Sequence, residues 1–477
     1  MRGCRGYSLS LHKAMKGTDS LRRRTEEEMR IFTVFLIIVF GGCGWFGPPK
    51  IGSGKSITEL FAMEAALNPS GRCSFMMLHR SFIEINKSYY KKVSNKDVFK
   101  GGLKGLSKEL GKEVELPEFK KDEEYSSEKL WEMVIGARDT SNKNLSRLCY
   151  ATVQGTVSYL GDRFSTFVTA NMSKDFVRGV IGGNYVGIGV TFQIFVKPEQ
   201  RIFIRTVHPN SPAASAGLRD YDELIAVESV YVSKLNLKAA NDYTKITSRI
   251  KGRAGTSVRL TIKRQGLKTV MVTRAKITYK NAHCQLLGKI VYCRLFSFGE
   301  NLMKDFIESY ESIKAEHDSK IIIDLRNNLG GLLGSANSFL AYGWFNEFKF
   351  IGATIKVRKE FTSLFGQGGK ANFKNYKTVV LVNHTSASAS EIVAGALQDH
   401  GKAVVIGTRT FGKGTVQALM PVLGAALNLT IREYWTPLGD IVNKKGISPN
   451  IEVQKGIEDF SNARDPQLVA AVKYFNK

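Results

Sequence analysis

Near the C-terminal end, Ser386-Ala387-Ser388-Ala389-Ser390-Glu391 is followed by Thr410-Phe411-Gly412-Lys413-Gly414-Thr415, so Lys413 stands 25 residues after Ser388 and Gln417 four residues further on. A serine hydroxyl is a poor nucleophile at neutral pH until something takes its proton. A lysine kept neutral in a desolvated, apolar site can do so without a histidine. Gly412 and Gly414 flank Lys413, so backbone can pack closely around an amine with few competing charges; its pKa has to fall for it to act as a base near neutrality. The spacing is that of a Ser-Lys pair, and the chain reads first as a serine hydrolase. Asp399, eleven residues after Ser388, is expected to fix local structure, because a carboxylate beside Lys413 would keep the amine charged.

Ile321-Ile322-Ile323-Asp324-Leu325-Arg326-Asn327-Asn328-Leu329-Gly330-Gly331 reads as a buried strand that ends in polar residues and paired glycines. Glycines there let backbone amides approach a ligand. With the N–H of Ala389, at the start of the helix after Ser388, the amide of Gly331 is the expected second donor of an oxyanion hole. Taken singly, a serine in a Ser/Ala run is usually a helix cap and a lone lysine a solvated charge. Their spacing together outweighs those readings. Gly407 to Lys413 nearly spells a phosphate-binding loop, but Gly414 replaces the required Ser/Thr, and Gly52-Ser53-Gly54-Lys55-Ser56 lacks its first glycine and a preceding strand. ATP binding is discounted. His384 and His400 are not needed by a Ser-Lys mechanism.

These groups must be positioned by several domains, since 477 residues suggest about three. Residues 1–28 are polar and featureless, as in an over-long start. Residues 29–43 have the layout of a secretion signal, with an apolar run from Ile31 to Phe40. Residues 55–180 read as helical and 456–477 as a helical tail. From Gly182 come short alternating strands: 186–195, 201–207, 223–232, 257–264 and 269–274, with a turn and short helix at Asn210 to Leu218. From Ile277 strands and helices alternate, giving an α/β layered domain over 278–455. No internal repeat is present.

The formal net charge is +26, to which residues 1–42 contribute eight Lys/Arg and four Asp/Glu; the excess is spread along the chain, which argues against a nucleic-acid-binding arm. The six cysteines have no metal-site spacing, and no metal or organic cofactor is expected. One or two disulfides among Cys73, Cys149, Cys284 and Cys293 suit an exported chain, and buried free thiols suit it equally.

Residues 183–277 resemble a PDZ domain: Gly187-Ile188-Gly189-Val190 matches the loop whose amides capture a peptide's terminal carboxylate beside an open edge strand. Tyr221-Asp222 and Glu228-Ser229 depart from the usual Gly-Asp and Asp/Asn-Gly, so the turns there are expected to differ. Gly41-Gly42-Cys43 resembles a bacterial lipoprotein cleavage site, with Cys43 lipidated. The Asp-Leu-Arg-Asn-Asn-x-Gly-Gly strand, Ser-Ala-Ser-Ala-Ser-Glu, Thr-Phe-Gly-Lys-Gly and Tyr434-Trp435-Thr436-Pro437-Leu438-Gly439 resemble, in family order, the C-terminal processing peptidases (tail-specific proteases), over residues 75 to 455 including Asp162-Arg163-Phe164-Ser165. The resemblance implies a multidomain α+β chain, with a helical N-terminal region and a PDZ-like domain set before or within a ClpP/crotonase-like α/β domain. It implies Ser388 as nucleophile, Lys413 as general base and Gln417 as the residue orienting the lysine. It also implies a periplasmic endopeptidase of the bacterial envelope that takes protein substrates by their C-terminal tails, with an adaptor or regulator as a further partner class. Two other readings stand beside it: an envelope scaffold with a decayed site, and a lysine-assisted esterase of small substrates.

Overall fold

The computed structural model describes residues 57–173, 176, 185–197, 199–237, 240–277, 280–313, 317–345, 354–357, 360–363 and 369–476. The segment 29–43, and Cys43 with it, lies outside the described residues. The chain divides into two compact units, residues 1–70 and 71–477. The first contains helix α1 (Ile57–Ala66). Among the described residues no helix is long and apolar enough to cross a membrane.

The second unit opens with helices α2 (Phe75–Ser88), α3 (Asn95–Leu110), α4 (Ser127–Ser141) and α5 (Leu145–Ser158). Ser94, Ser126 and Asn144 each cap the following helix through the side chain, satisfying an amide the first turn leaves free. Helices α3 and α5 approach so closely that a Cβ on Gly105 would come within 2.1 Å of Ala151 O. A disulfide joins Cys73, just before α2, to Cys149 on α5, and a second joins Cys284 to Cys293. The first closes a span of 76 residues. The pair Cys73→Ala/Cys149→Ala is expected to cost about 2–5 kcal/mol in chemical denaturation. Thiol titration of the unfolded, unreduced chain from residue 44 onward should detect no free thiol, since Cys73, Cys149, Cys284 and Cys293 are all paired.

Strand β1 (Thr166–Val168) leads to β2 (Tyr185–Gly187), β3 (Val190–Phe195), β4 (Arg201–Val207), α6 (Pro212–Ser215), β5 (Glu223–Val227), β6 (Val230–Tyr231), α7 (Ala240–Ile250), β7 (Ser257–Lys263), β8 (Leu267–Thr273) and β9 (Ala275–Ile277). The antiparallel order β3-β4-β5-β7-β8, with β6 on β5, leaves β3 at an edge among the described residues, while β2 pairs with β9. The core of this region combines Ile202, Ile204, Leu224, Leu260 and Ile262 with Ile246 of α7. The strand expected over 186–195 is broken at Ile188-Gly189, where Gly189 takes φ +82° and a Cβ would meet Ser211 Cβ at 2.3 Å. The two departures from the usual turns are also resolved: Tyr221 (φ +73°) and Glu228 (φ +52°) adopt left-handed conformations without glycine.

The remaining strands are β10 (Ala282–Leu287), β11 (Ile290–Leu295), β12 (Lys320–Asp324), β13 (Thr354–Val357), β14 (Glu360–Ser363), β15 (Lys377–Val382), β16 (Val404–Gly407), β17 (Thr415–Val422), β18 (Ala425–Trp435) and β19 (Ile451–Glu452). One sheet has the order β10-β11-β12-β15-β16-β19, parallel except for the β10–β11 pair. Strands with both faces covered need apolar residues at successive positions, as in Ile321, Ile322 and Ile323. One face packs on α8 (Leu302–Glu311), α9 (Leu333–Gly343) and α10 (Ala389–Asp399) through Phe306, Phe339 and Val393. The other face is covered by α12 (Pro466–Phe475), which follows α11 (Ile457–Ser461), through Ala471 and Phe475. A second sheet has the order β1-β18-β13-β14 with β17 also on β18, so the segment read as helical from sequence also supplies a strand to the wall beside the site.

Candidate active site

The long apolar strand β15 delivers the chain to Asn383, and the next five residues turn it sharply so that Ser388 caps α10. Ser388 takes φ +57° and ψ −117°, a conformation L residues rarely hold and one that concentrates at reactive centres when surrounding bonds impose it. Those bonds are present. Ser386 Oγ donates to Leu325 O (2.8 Å), Ala387 N to Asn328 O (3.0 Å), and Ser390 Oγ to Asn328 O (2.9 Å), stitching this turn to the loop after β12. Tyr434 Oη donates to Ser388 O (3.0 Å). The Ser388 side chain itself makes no capping hydrogen bond.

Gly330 has to be glycine: it sits at φ +97°, and a Cβ would lie 2.6 Å from Ala387 O, 2.7 Å from Ser388 Cβ and 2.8 Å from Ala389 N. Its N–H is committed to Asn328 Oδ1 at 2.9 Å. Gly331, at φ +146°, packs against Phe298, where a Cβ would fall 2.5 Å from the carbonyl oxygen. Among the described residues neither Gly331 N–H nor Ala389 N–H has a protein acceptor. The expected pair of donors is thus unclaimed, on two loops held in contact. The β12 loop starts from a rigid base: Asp324 is fully buried, accepts from Tyr292 Oη (2.6 Å), and is gripped by Arg326 Nε (2.9 Å) and Nη2 (2.7 Å).

Lys413 arrives on the loop between β16 and β17, and Glu391 fixes that loop. One carboxylate oxygen of Glu391, Oε2, accepts from Ser388 N (2.8 Å) and from Lys413 N (2.8 Å). The other, Oε1, accepts from Gly412 N (2.6 Å) and Thr410 Oγ1 (2.6 Å). A single carboxylate with no solvent exposure therefore ties the backbone of the two residues proposed to react. Burial pushes its pKa up, and these four hydrogen bonds oppose that shift. Sequence reading quoted Glu391 without giving it a task; the signal was its position three residues after Ser388, the spacing of a capping box.

Burial holds the Lys413 amine below the ordinary lysine range, against the opposing pull of Glu391 and Asp162. Its Nζ lies 5.1 Å from the ring centroid of Phe164. The Asp162 to Ser165 segment is anchored there by Ser165 Oγ to Asp162 Oδ2 (2.6 Å) and Thr430 N to Ser165 Oγ (3.0 Å). Gln417, on β17 beside a bulge, donates from Nε2 to Thr415 Oγ1 (2.9 Å) and Thr430 Oγ1 (3.1 Å). Among the described hydrogen bonds none joins Lys413 Nζ to Gln417 or to Ser388 Oγ. Ser388 and Lys413 stand on turns joined through Glu391, and Gln417, which the resemblance assigns to orienting the lysine, stands on β17 with its amide given to the two threonines. Asp399 accepts from Leu438 N at 2.8 Å, the local structural bond anticipated for it.

Gly187, Ile188, Gly189 and Val190 lie far along the chain from Ser388, where Gly187 ends β2, Val190 starts β3 and Ile188-Gly189 link them. Ile188 O accepts from Ala213 N (2.8 Å) and Gly189 O from His208 N (2.9 Å). Among the described residues the N–H groups of Ile188 and Gly189 have no protein acceptor. No group of His, Cys, Asp and Glu among the described residues is arranged to hold a metal ion.

Comparison with known proteins agrees with this architecture. Residues 289–453 match peptidase family S41. A carboxyl-terminal-processing protease of Picosynechococcus sp. is 35% identical over 335 residues, covering 68% of this chain and 78% of that relative. A probable CtpA-like serine protease of Staphylococcus aureus is 33% identical over 322 residues, and there the match spans 61% of the relative's length. The fold is similar to that of a photosystem II D1 C-terminal processing protease (TM-score 0.50, 21% identity, 80% of this chain and 93% of the other). The chain belongs to the carboxyl-terminal-processing proteases of peptidase family S41 and is a serine-type peptidase.

Proposed function

We propose that this chain is an exported endopeptidase of the bacterial envelope, anchored through an acylated Cys43, that captures protein substrates by their C-terminal tails and cleaves them through a Ser388–Lys413 acyl-enzyme. The observation that carries the reading is Glu391 Oε2, shared between the backbone amides of Ser388 and Lys413. Lys413 Nζ takes the proton of Ser388 Oγ as the oxygen attacks the scissile carbonyl carbon, and the amides of Gly331 and Ala389 bind the oxyanion. The C–N bond then breaks, and Lys413 returns the proton to the departing amine. Water, deprotonated by the same lysine, attacks the serine ester, and the lysine gives that proton to Ser388 Oγ as the C–O bond breaks and the new carboxyl terminus leaves. Gln417 is the residue assigned to orienting the lysine.

Export is supported by the two disulfides, which persist in oxidising compartments. Tail capture is supported by the edge position of β3 and by the unclaimed amides of Ile188 and Gly189 just before it, the arrangement a PDZ-like domain uses to add a peptide strand and hold its carboxylate. Two partly unfolded reporters, one ending in apolar residues and one in charged residues, test it. The apolar tail should be cut with at least about a tenfold higher kcat/KM, and blocking its terminal carboxylate as an amide should remove the advantage. Equal cleavage of the two reporters would contradict tail capture.

A further inference from the structure

No step of the proposed mechanism uses the Asp162-Arg163-Phe164-Ser165 segment, yet it faces the reacting amine. It follows α5 and leads into β1, and its own polar groups hold it in shape. Asp162 Oδ1 accepts from Phe164 N (3.1 Å) and Oδ2 from Ser165 Oγ (2.6 Å), a local turn of the kind aspartate forms with the groups just after it. Strand β18 fastens the turn from its other side: Asn428 Nδ2 donates to Phe164 O (2.9 Å) and Thr430 N to Ser165 Oγ (3.0 Å). Both the amide and the carbonyl of Phe164 are therefore bonded, which fixes where its ring departs from the backbone.

That ring is half-buried, and Lys413 Nζ lies over it at 5.1 Å from the centroid, within the range of a cation–π contact. The Arg163 guanidinium carbon lies 5.2 Å from the same centroid and 5.3 Å from that of Phe411, two residues before Lys413, so the segment is also tied to the lysine's own loop. Among the described residues Lys413 Nζ has no hydrogen-bond or ion-pair partner. The other charges acting on it are Glu391, from α10, and Asp162. Glu391 accepts from four donors and Asp162 from two, so both carboxylates are engaged elsewhere. The phenols beside them, Tyr434 and Tyr89, are held protonated chiefly by burial.

Taking the serine proton turns the amine into an ammonium ion in a site whose burial disfavours that form. The oxyanion formed in the same step has two amides to receive it. The cation has the face of Phe164, whose negative quadrupole attracts an ammonium and does little for a neutral amine. An interaction that strengthens only as charge develops lowers the barrier, where one equally strong beforehand does not.

We propose that Phe164 is a positioning residue of the reaction, its ring face holding the Lys413 side chain and stabilising the ammonium formed when the serine proton is taken. The proposal rests on the Ser388–Lys413 reading above. Its signature depends on pH. Below the pH at which Lys413 loses its proton, the amine is charged before the reaction begins, so the ring stabilises the starting state and the transition state alike and its removal changes little. Above that pH only the transition state carries the charge, and removal is felt in full.

The test is kcat/KM against pH for a small peptide ester, a substrate that needs no tail capture, on the full chain as wild type, Phe164→Leu and Phe164→Tyr, with thermal unfolding of each. Leucine keeps apolar cover over the amine without a π face, and tyrosine keeps the face. Phe164→Leu should lower the plateau at high pH by about three- to tenfold and move the midpoint of the rise down by about one pH unit, with rates well below the midpoint no lower than those of the wild type. Phe164→Tyr should reproduce the wild-type profile. A leucine variant that loses the same factor at every pH, with its midpoint unmoved, would reduce Phe164 to packing and overturn the proposal. A leucine variant with the wild-type profile, or a folded tyrosine variant as impaired as the leucine one, would overturn it too. If the wild type shows no rise below the ordinary lysine value, the Ser388–Lys413 reading falls and this proposal with it.

Discussion

Ser388→Ala and Lys413→Ala are each expected to lower kcat by about 10⁴- to 10⁶-fold in single-turnover cleavage of a tail-bearing reporter, and the double variant should be scarcely worse than either. The two residues act as one unit: without the amine the hydroxyl keeps its proton, and without the hydroxyl the amine has nothing to activate. Lys413→Arg separates this role from a need for positive charge. A guanidinium does not deprotonate in a protein, so the arginine variant should be as inactive as the alanine one. An arginine variant retaining even a tenth of wild-type kcat would show that position 413 contributes charge and not base catalysis. Thermal unfolding of all variants should stay near wild type, since Ser388 Oγ makes no capping bond and Lys413 Nζ no described hydrogen bond.

Glu391 should give the second-largest effect, of a different kind. Glu391→Ala strands the amides of Ser388, Gly412 and Lys413 and the hydroxyl of Thr410 in the interior, four donors that now share one carboxylate. Unsatisfied buried groups cost about 1–3 kcal/mol each before relaxation, so a loss on the order of 4 kcal/mol is expected. Glu391→Gln keeps the shape but turns an NH₂ group toward donors that need an acceptor. It should unfold only modestly earlier, yet lose about 10²- to 10³-fold in kcat with little change in KM, as expected when reacting groups shift by a fraction of an ångström. A melting curve and a Michaelis curve on the same preparation separate the two effects. A glutamine variant with full kcat would reduce Glu391 to a packing role.

Much of the frame was legible because local chemistry and tertiary demand agree there. Strands β4 and β12 fall where alternation and the isoleucine run put them, at Arg201–Val207 and Lys320–Asp324. The helix expected to start after Ser388 begins at Ala389. What escaped the sequence depends on partners distant along the chain. Phe460 of α11 packs against Phe195, Phe203 and Tyr221, and Arg201 Nη1 donates to Ser461 Oγ at 2.8 Å, contacts spanning more than two hundred residues. They also account for Tyr221 at φ +73° where glycine would be easier: its ring is fixed by Phe460, and its hydroxyl accepts from Lys455 at 2.7 Å. The pairing of β1 with β18, Thr166 opposite Asn428, is invisible to periodicity for the same reason. The absent Lys413–Gln417 bond shows the converse: the motif carries residue types, while the amide's partners here are the threonines beside it.

The most direct test of the central claim is the pH dependence of kcat/KM for a small peptide ester, measured on the wild type and on His384→Asn. A neutral lysine is the required form, so the rate should rise with pH along a single limb whose midpoint lies below 10.5, the ordinary lysine value from which burial lowers Lys413. The histidine variant should leave that limb in place. A limb in the ordinary histidine range that disappears in His384→Asn, or one at the unshifted lysine value, would contradict a buried, neutral Lys413 as the base for Ser388.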